Sequence, residues 1–253
     1  VLLGEKIQGR AGDTGIEEGW DALDIILKQE DCATFIASKL YLWFVSHEPH
    51  ADRIAELAKV LRKNELSIRE ALRAMFNSDW FYGEDVMLSR YKNPVEWVIS
   101  AVRLLGMQNT YLLNLRDAVR VTGMNLFEPP SVAGWDHGTA WINSGTIVSR
   151  FNLALQLSEV PNSRRQVAGR AAMNLGALAP QPANGEDLAG IVEGLATRLL
   201  QEPLPAASKE AITKALEDEA TFLPASMETK KRHRALTRAA IHLLLVSPEF
   251  ALC

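Results

Sequence analysis

Gly123-Met-Asn-Leu-Phe-Glu-Pro-Pro-Ser-Val-Ala-Gly-Trp-Asp-His-Gly-Thr-Ala-Trp-Ile-Asn-Ser-Gly145 stands between two helical patterns, one from about 110 to 122 and one from about 142 to 157. Pro129-Pro130 excludes helix, because each ring removes a backbone donor and Pro130 drives Pro129 toward an extended conformation. Gly123, Gly134, Gly138 and Gly145 are free to take positive φ or to let another backbone approach closely. Phe127, Trp135 and Trp141 bring large apolar area to the same stretch. A long loop with such anchors is expected to be ordered and held to the body of the protein, and loops of this kind often carry function. Two roles are open for it: a plug, with Trp135 and Trp141 buried over the helices, or a recognition surface.

Outward from the loop the pattern is helical throughout. Trp20, Leu23, Ile26 and Leu27 recur at helical spacing, and Asp31 is placed to cap a helix from Cys32 to about Ser46. Its predicted core face holds Phe35, Ile36, Leu40, Trp43 and Phe44. A helix is expected over Ala51 to Lys63, and Ser67 with Glu70 reads as a capping box opening the next. Asn93, Pro94 and Glu96 read as a second such start, followed by a buried stripe of Trp97, Val98, Ala101, Val102 and Leu105 that ends at Gly106. After the loop, Ile147, Val148, Phe151 and Leu155 share one face. No strand alternation or hairpin signal occurs. The predicted fold is all-α, a multi-helix globular bundle with one long Gly/Pro/Trp-rich ordered loop. Its expected organisation is a helical core over 1–160, a linker-like Ala/Gly/Pro-rich segment over 161–185, and a C-terminal helical subdomain over 186–253 packing on the core. Ile68 to Phe81 also resembles Thr237 to Phe250, which hints at a repeated helix followed by an aromatic hook.

The 253 residues are 47% hydrophobic and 23% charged, ordinary values for a globular chain. A net charge of −4 gives no electrostatic footprint for nucleic acid. The basic run Lys230-Lys-Arg-His-Arg234 reads as a solvated helix face. No apolar run approaches the roughly 18 residues of a membrane span. Cys32 and Cys253, the only two cysteines, make neither a disulfide framework nor a zinc cluster. Asp13, Glu17, Glu18 and Asp21 do not align with a calcium loop, and Pro49 separates His47 from His50, so no metal site is expected.

Phosphate-loop, dinucleotide and nucleophile-elbow signatures are absent, and no cofactor is expected. The catalytic candidates are Asp136 and His137, the acid and imidazole of the loop, with Arg150 to orient an anionic group. The binding candidates are Phe127, Trp135, Trp141, Asn143 and Asn152: aromatics for contact area and amides for hydrogen bonding. These residues support a binding or assembly module using the 123–143 loop. The alternative is a hydrolase-like enzyme acting on an extracellular polymer.

Ala33-Thr-Phe-Ile-Ala-Ser-Lys-Leu40 with Phe44, Lys92-x-Pro94-x-Glu96, Arg103-x-Leu105-Gly106, and Gly123-x-x-Leu126-Phe127-x-Pro129-Pro130 with Gly134-Trp135 and Trp141 follow one another in the order seen in the bacterial family known as domain of unknown function 1800. Over about Val1 to Leu157 the chain resembles the C-terminal part of that family's domain. Met124 departs from the family's usual Gln, and Asp136 from its usual Pro. The resemblance implies a chain that is a fragment or processed product, a periplasmic or extracellular setting, and a partner that is another exported protein or a polymer. It implies no reaction.

Overall fold

A computed structural model describes residues 1–108, 113–162, 171–182 and 187–253. These residues form α-helices joined by turns, with isolated bridges and no strand among them, so the fold is all-α. The chain divides into two compact units, Val1–Arg90 and Tyr91–Cys253.

The first unit holds α1 (Ile16–Leu27), α2 (Glu30–Phe44), α3 (Ala51–Lys63) and α4 (Ile68–Phe76), closed by a 3-10 turn over Asp79–Tyr82. Its core is built from Ala33, Ala37, Tyr41 and Val45 of α2 and its end, Ile54, Leu57, Ala58 and Leu61 of α3, and Ala71 and Met75 of α4. This corrects the expected face of α2: Phe35 and Trp43 are 60% and 51% exposed, and the buried stripe is the i, i+4, i+8 row of Ala33, Ala37 and Tyr41. Small residues on that row let α3 approach closely, so proximity of the backbones, not side-chain size, decides which face is buried. On α1, likewise, Trp20, Leu23, Ile26 and Leu27 face outward and Ile25 is buried.

Two expected caps also differ. Gln29, not Asp31, precedes α2, and Ser67 makes no side-chain bond at the start of α4. Glu65 and Leu66 take left-handed φ there, so the Ser67 N–H donates to the Asn64 carbonyl at 2.8 Å and leaves Glu70 to pair with Arg73. The acidic cluster near the N-terminus gathers around one guanidinium: Arg10 pairs with Glu17 at 3.2 Å and with Asp21 at 2.5 Å.

The second unit contains α5 (Pro94–Leu104), α6 (Leu115–Val121), α7 (Ser144–Ser158), the single turn α8 (Leu175–Leu178), α9 (Leu188–Leu199), α10 (Ala206–Phe222) and α11 (Thr229–Leu245). A 3-10 turn over Glu249–Ala251 follows α11. Asn93 and Glu96 form the expected capping box, each side chain accepting from the other's backbone N–H at 2.9 Å. Trp97, Val98, Ala101, Val102 and Leu105 are all buried, as their spacing predicts. Gly106, at φ +59, ends α5, and the Met107 N–H reaches back to the Val102 carbonyl.

Helix α11 runs against α7, α9 and α10, and one apolar core joins α5, α6 and α7 to α9, α10 and α11. Arg238 donates to the carbonyls of Ser158 and Val160, and Arg198 to that of Leu104, which ties α11 to the end of α7 and α9 to the end of α5. Of the expected linker, residues 163–170 and 183–185 lie outside those described, and its described part places Ala172, Met173, Leu175 and Leu178 in the core. The hinted repeat has a structural counterpart. Ala71 and Ala240, and Met75 and Leu244, are fully buried at matching positions, and each helix is followed by a 3-10 turn carrying Phe81 or Phe250.

Candidate functional site

The loop leaves α6 through a tight reversal. Gly123 sits at φ +116, and the Met124 N–H donates to the Val119 carbonyl, which turns Met124 into the core at 8% exposure. A Cβ on Gly123 would lie 3.3 Å from Thr146 Cγ2 and 3.6 Å from the Trp141 ring, so Gly123 is needed for both its backbone and its lack of a side chain. Asn125 and Glu128 bond to each other across the next turn. Phe127, inside that turn, takes φ +65 and is 93% exposed. After Pro129-Pro130 a second turn closes between Ser131 and Gly134 and displays Val132 entirely to solvent.

The foot of the loop is anchored. Trp135 packs half-buried on the core with its indole N–H buried and without an acceptor among the described residues, and Trp141 is buried at the end of a 3-10 turn, Gly138–Trp141. Asn143 then caps α7: its side chain accepts from the Thr146 N–H at 3.0 Å while the Thr146 hydroxyl accepts from the Asn143 N–H. The loop is thus buried at its foot, at Trp141, and exposed at its tip, at Phe127 and Val132.

The candidate residues scatter over this frame. Asp136 and His137 are exposed on the loop and line none of the three clefts described here. Asn143 uses its side chain as a helix cap. Asn152 opens onto a cleft of about 460 Å³ with Asn114, Asp117 and Gln156, on a different side of α7 from Arg150. Trp141 and Arg150 do come together: both line a second, largely apolar cleft of about 440 Å³, with Ile142, Ile147, Phe151 and Leu252. A third, polar cleft of about 760 Å³ lies beside Lys230, His233 and Arg234 of the basic run.

Arg150 is 7% exposed, and its Nη2 donates to the Lys92 carbonyl at 3.1 Å with the guanidinium over the Trp97 ring. Its Nε is buried without a hydrogen-bond partner among the described residues. Burial lowers its pKa to about 10, and among the described residues no carboxylate acts to raise it. Lys92 was not among the sequence candidates, although it falls within the Lys92-x-Pro94-x-Glu96 motif. It is 5% exposed, and its Nζ donates to the Phe250 carbonyl at 2.8 Å and lies 4.1 Å from the centre of the Phe250 ring. Phe250 stands edge-on to Trp97, and the Lys92 N–H donates to the Ala251 carbonyl, so the hook after α11 is fastened to the start of the unit. Burial pushes the Lys92 pKa down, and the nearby Arg150 charge adds to that, against the negative charges of Cys253 and Glu96.

The family described as "Protein of unknown function (DUF1800)" matches residues 1–252. The chain belongs to the DUF1800 family. The match runs well beyond the resemblance read over about Val1 to Leu157, through α8–α11 to the aromatic hook, so Phe250 and the clamp on Lys92 lie inside the DUF1800 region. Comparison with curated proteins and with solved structures returns no match.

Proposed function

We propose that this DUF1800 chain is a binding module acting outside the cytoplasm, with the tip of the 123–143 loop as its contact element and another exported protein as its partner. The observation that carries the reading is Phe127, left-handed and 93% exposed. A left-handed backbone costs a non-glycine residue about 1–2 kcal/mol, and a solvated ring returns no burial to offset it. Strain of this kind persists where the placement of a side chain matters for function. Val132 gives the tip a second apolar point, and the buried Trp141 orders the foot beforehand, which lowers the cost of ordering on contact. A tip of Phe127, Pro129, Pro130 and Val132 beside Glu128 offers no cation to an acidic polymer, whereas apolar pockets that accept an aromatic are a regular feature of protein interfaces.

The test is a photo-crosslinking phenylalanine analogue at position 127 in the producing cell, with the same analogue at Phe222, 82% exposed on α10, as the control. One discrete protein adduct from position 127 that disappears with Val132→Asp supports the reading. No adduct, or the same adducts from both positions, overturns it.

A further inference from the structure

We propose that the cleft beneath Trp141 binds a small amphiphilic organic acid, one oxyanion head on an aliphatic or aromatic body, with Arg150 holding the head. Three observations converge on it. The first is an unpaired charge. Arg150 is more than nine-tenths buried, its Nε has no partner, and no carboxylate pairs with it among the described residues. A guanidinium has five N–H donors, and a buried charge is costly unless it is paired and hydrogen-bonded. The Nε side of the fork is one a carboxylate takes with two parallel bonds.

The second is the local charge. Lys92 is a second buried cation, close enough for the Arg150 charge to bear on its protonation, and its Nζ is directed to the Phe250 carbonyl. Lys92 is answered by the charges of Cys253 and Glu96, so Arg150 is the cation lining the cleft that no carboxylate pairs with among the described residues. An anion entering there meets a fixed donor without the need to order it, because Arg150 is already held by the Lys92 carbonyl and the Trp97 ring.

The third is the shape and lining. Trp141, Ile142, Ile147, Phe151 and Leu252 make walls with few polar groups around about 440 Å³. Ligand sites of this kind run from about 300 to 1,000 Å³ and combine apolar walls with a few fixed polar groups. A bare inorganic ion would leave those walls wet, and a neutral apolar molecule would leave the guanidinium unpaired; an acid with an apolar body satisfies both. The site stands whether or not the loop tip meets a partner.

The test is calorimetric titration of the whole chain with octanoate and 3-phenylpropanoate, their primary amides, and inorganic phosphate. The expected result is that the acids bind about tenfold or more tighter than the amides, the ratio for about 1.4 kcal/mol of charge-assisted hydrogen bonding. Phosphate should bind weaker than either acid. Arg150→Met should bind acid and amide alike. Ile147→Trp, which fills the cleft from an exposed position and leaves Arg150 intact, should lose both, and it decides the matter if Arg150→Met does not fold. Amides as tight as the acids, phosphate as tight as the acids, no binding by any probe to folded wild type, or full affinity in Ile147→Trp would each overturn the proposal.

Discussion

Replacing Arg150 by Met separates two accounts of that residue. Burial brings the guanidinium down from its ordinary value by more than two pH units, to about 10. At about 1.4 kcal/mol per pH unit, that displacement is about 3 kcal/mol against holding the charge in the fold. Against this stands the charged hydrogen bond from Nη2 to the Lys92 carbonyl, worth about 1.5–3 kcal/mol, and a cation–π contact over Trp97 worth about 0.5–1 kcal/mol. The opposing contributions nearly cancel. Met has a similar length and no charge, so Arg150→Met should leave stability within about 1 kcal/mol of wild type, judged by urea unfolding of both proteins. Breaking a buried ion pair costs about 3–5 kcal/mol instead. A loss of that size would refute the reading of Arg150 as an uncompensated charge and show that it has an acid partner in the fold.

Gly123→Ala should destabilise by about 1–3 kcal/mol, since it adds left-handed strain to a close contact with Thr146 and the Trp141 ring, and should red-shift the tryptophan emission if Trp141 is displaced. Asn143→Ala should cost about 1 kcal/mol through the lost cap of α7, read by thermal unfolding, and should leave acid binding in the Arg150 cleft unchanged. His242, edge-on to Phe151 and partly buried, has its pKa lowered by burial. Its neutral form is the one the fold favours, so the unfolded chain takes up the proton first as pH falls below about 6.5, and stability drops there. Unfolding curves between about pH 7 and 5 should fall less steeply for His242→Gln than for wild type.

Much of the fold can be read from local signals that have local causes. Asn93-Pro94-x-Glu96 is a capping box because its partners are three residues apart, and Gly106 ends a helix because of its own backbone, so neither depends on distant packing. Helix α3 spans Ala51–Lys63 as its periodicity predicts. What depends on neighbours is less legible. The Ala33, Ala37, Tyr41 row of α2 is buried because α3 lies against it, and nothing in α2 alone distinguishes it from the larger Phe35 and Trp43 on the outside. On α7, similarly, Arg150, Leu153, Ala154 and Leu157 face inward while Ile147, Val148 and Phe151 do not.

The site divides in the same way. The glycines at positive φ and the buried Trp141 are legible in the loop itself. Asn143-x-x-Thr146 carries the signal of a helix cap, and reading it so would have removed Asn143 from the binding candidates. Lys92 and Arg150 are 58 residues apart and meet only through the packing of α7 beside the start of α5, so their proximity has no sequence signature.

Phe127→Asn tests the central claim most directly, that the loop tip is held in a costly conformation for the sake of contact with a partner. Asn tolerates the left-handed region and Phe127 buries almost nothing, so the free protein should gain about 0.5–1 kcal/mol in urea unfolding, or at least lose nothing. A loss of more than about 1 kcal/mol would mean that Phe127 holds the fold together, and would contradict the account of the loop as a display element.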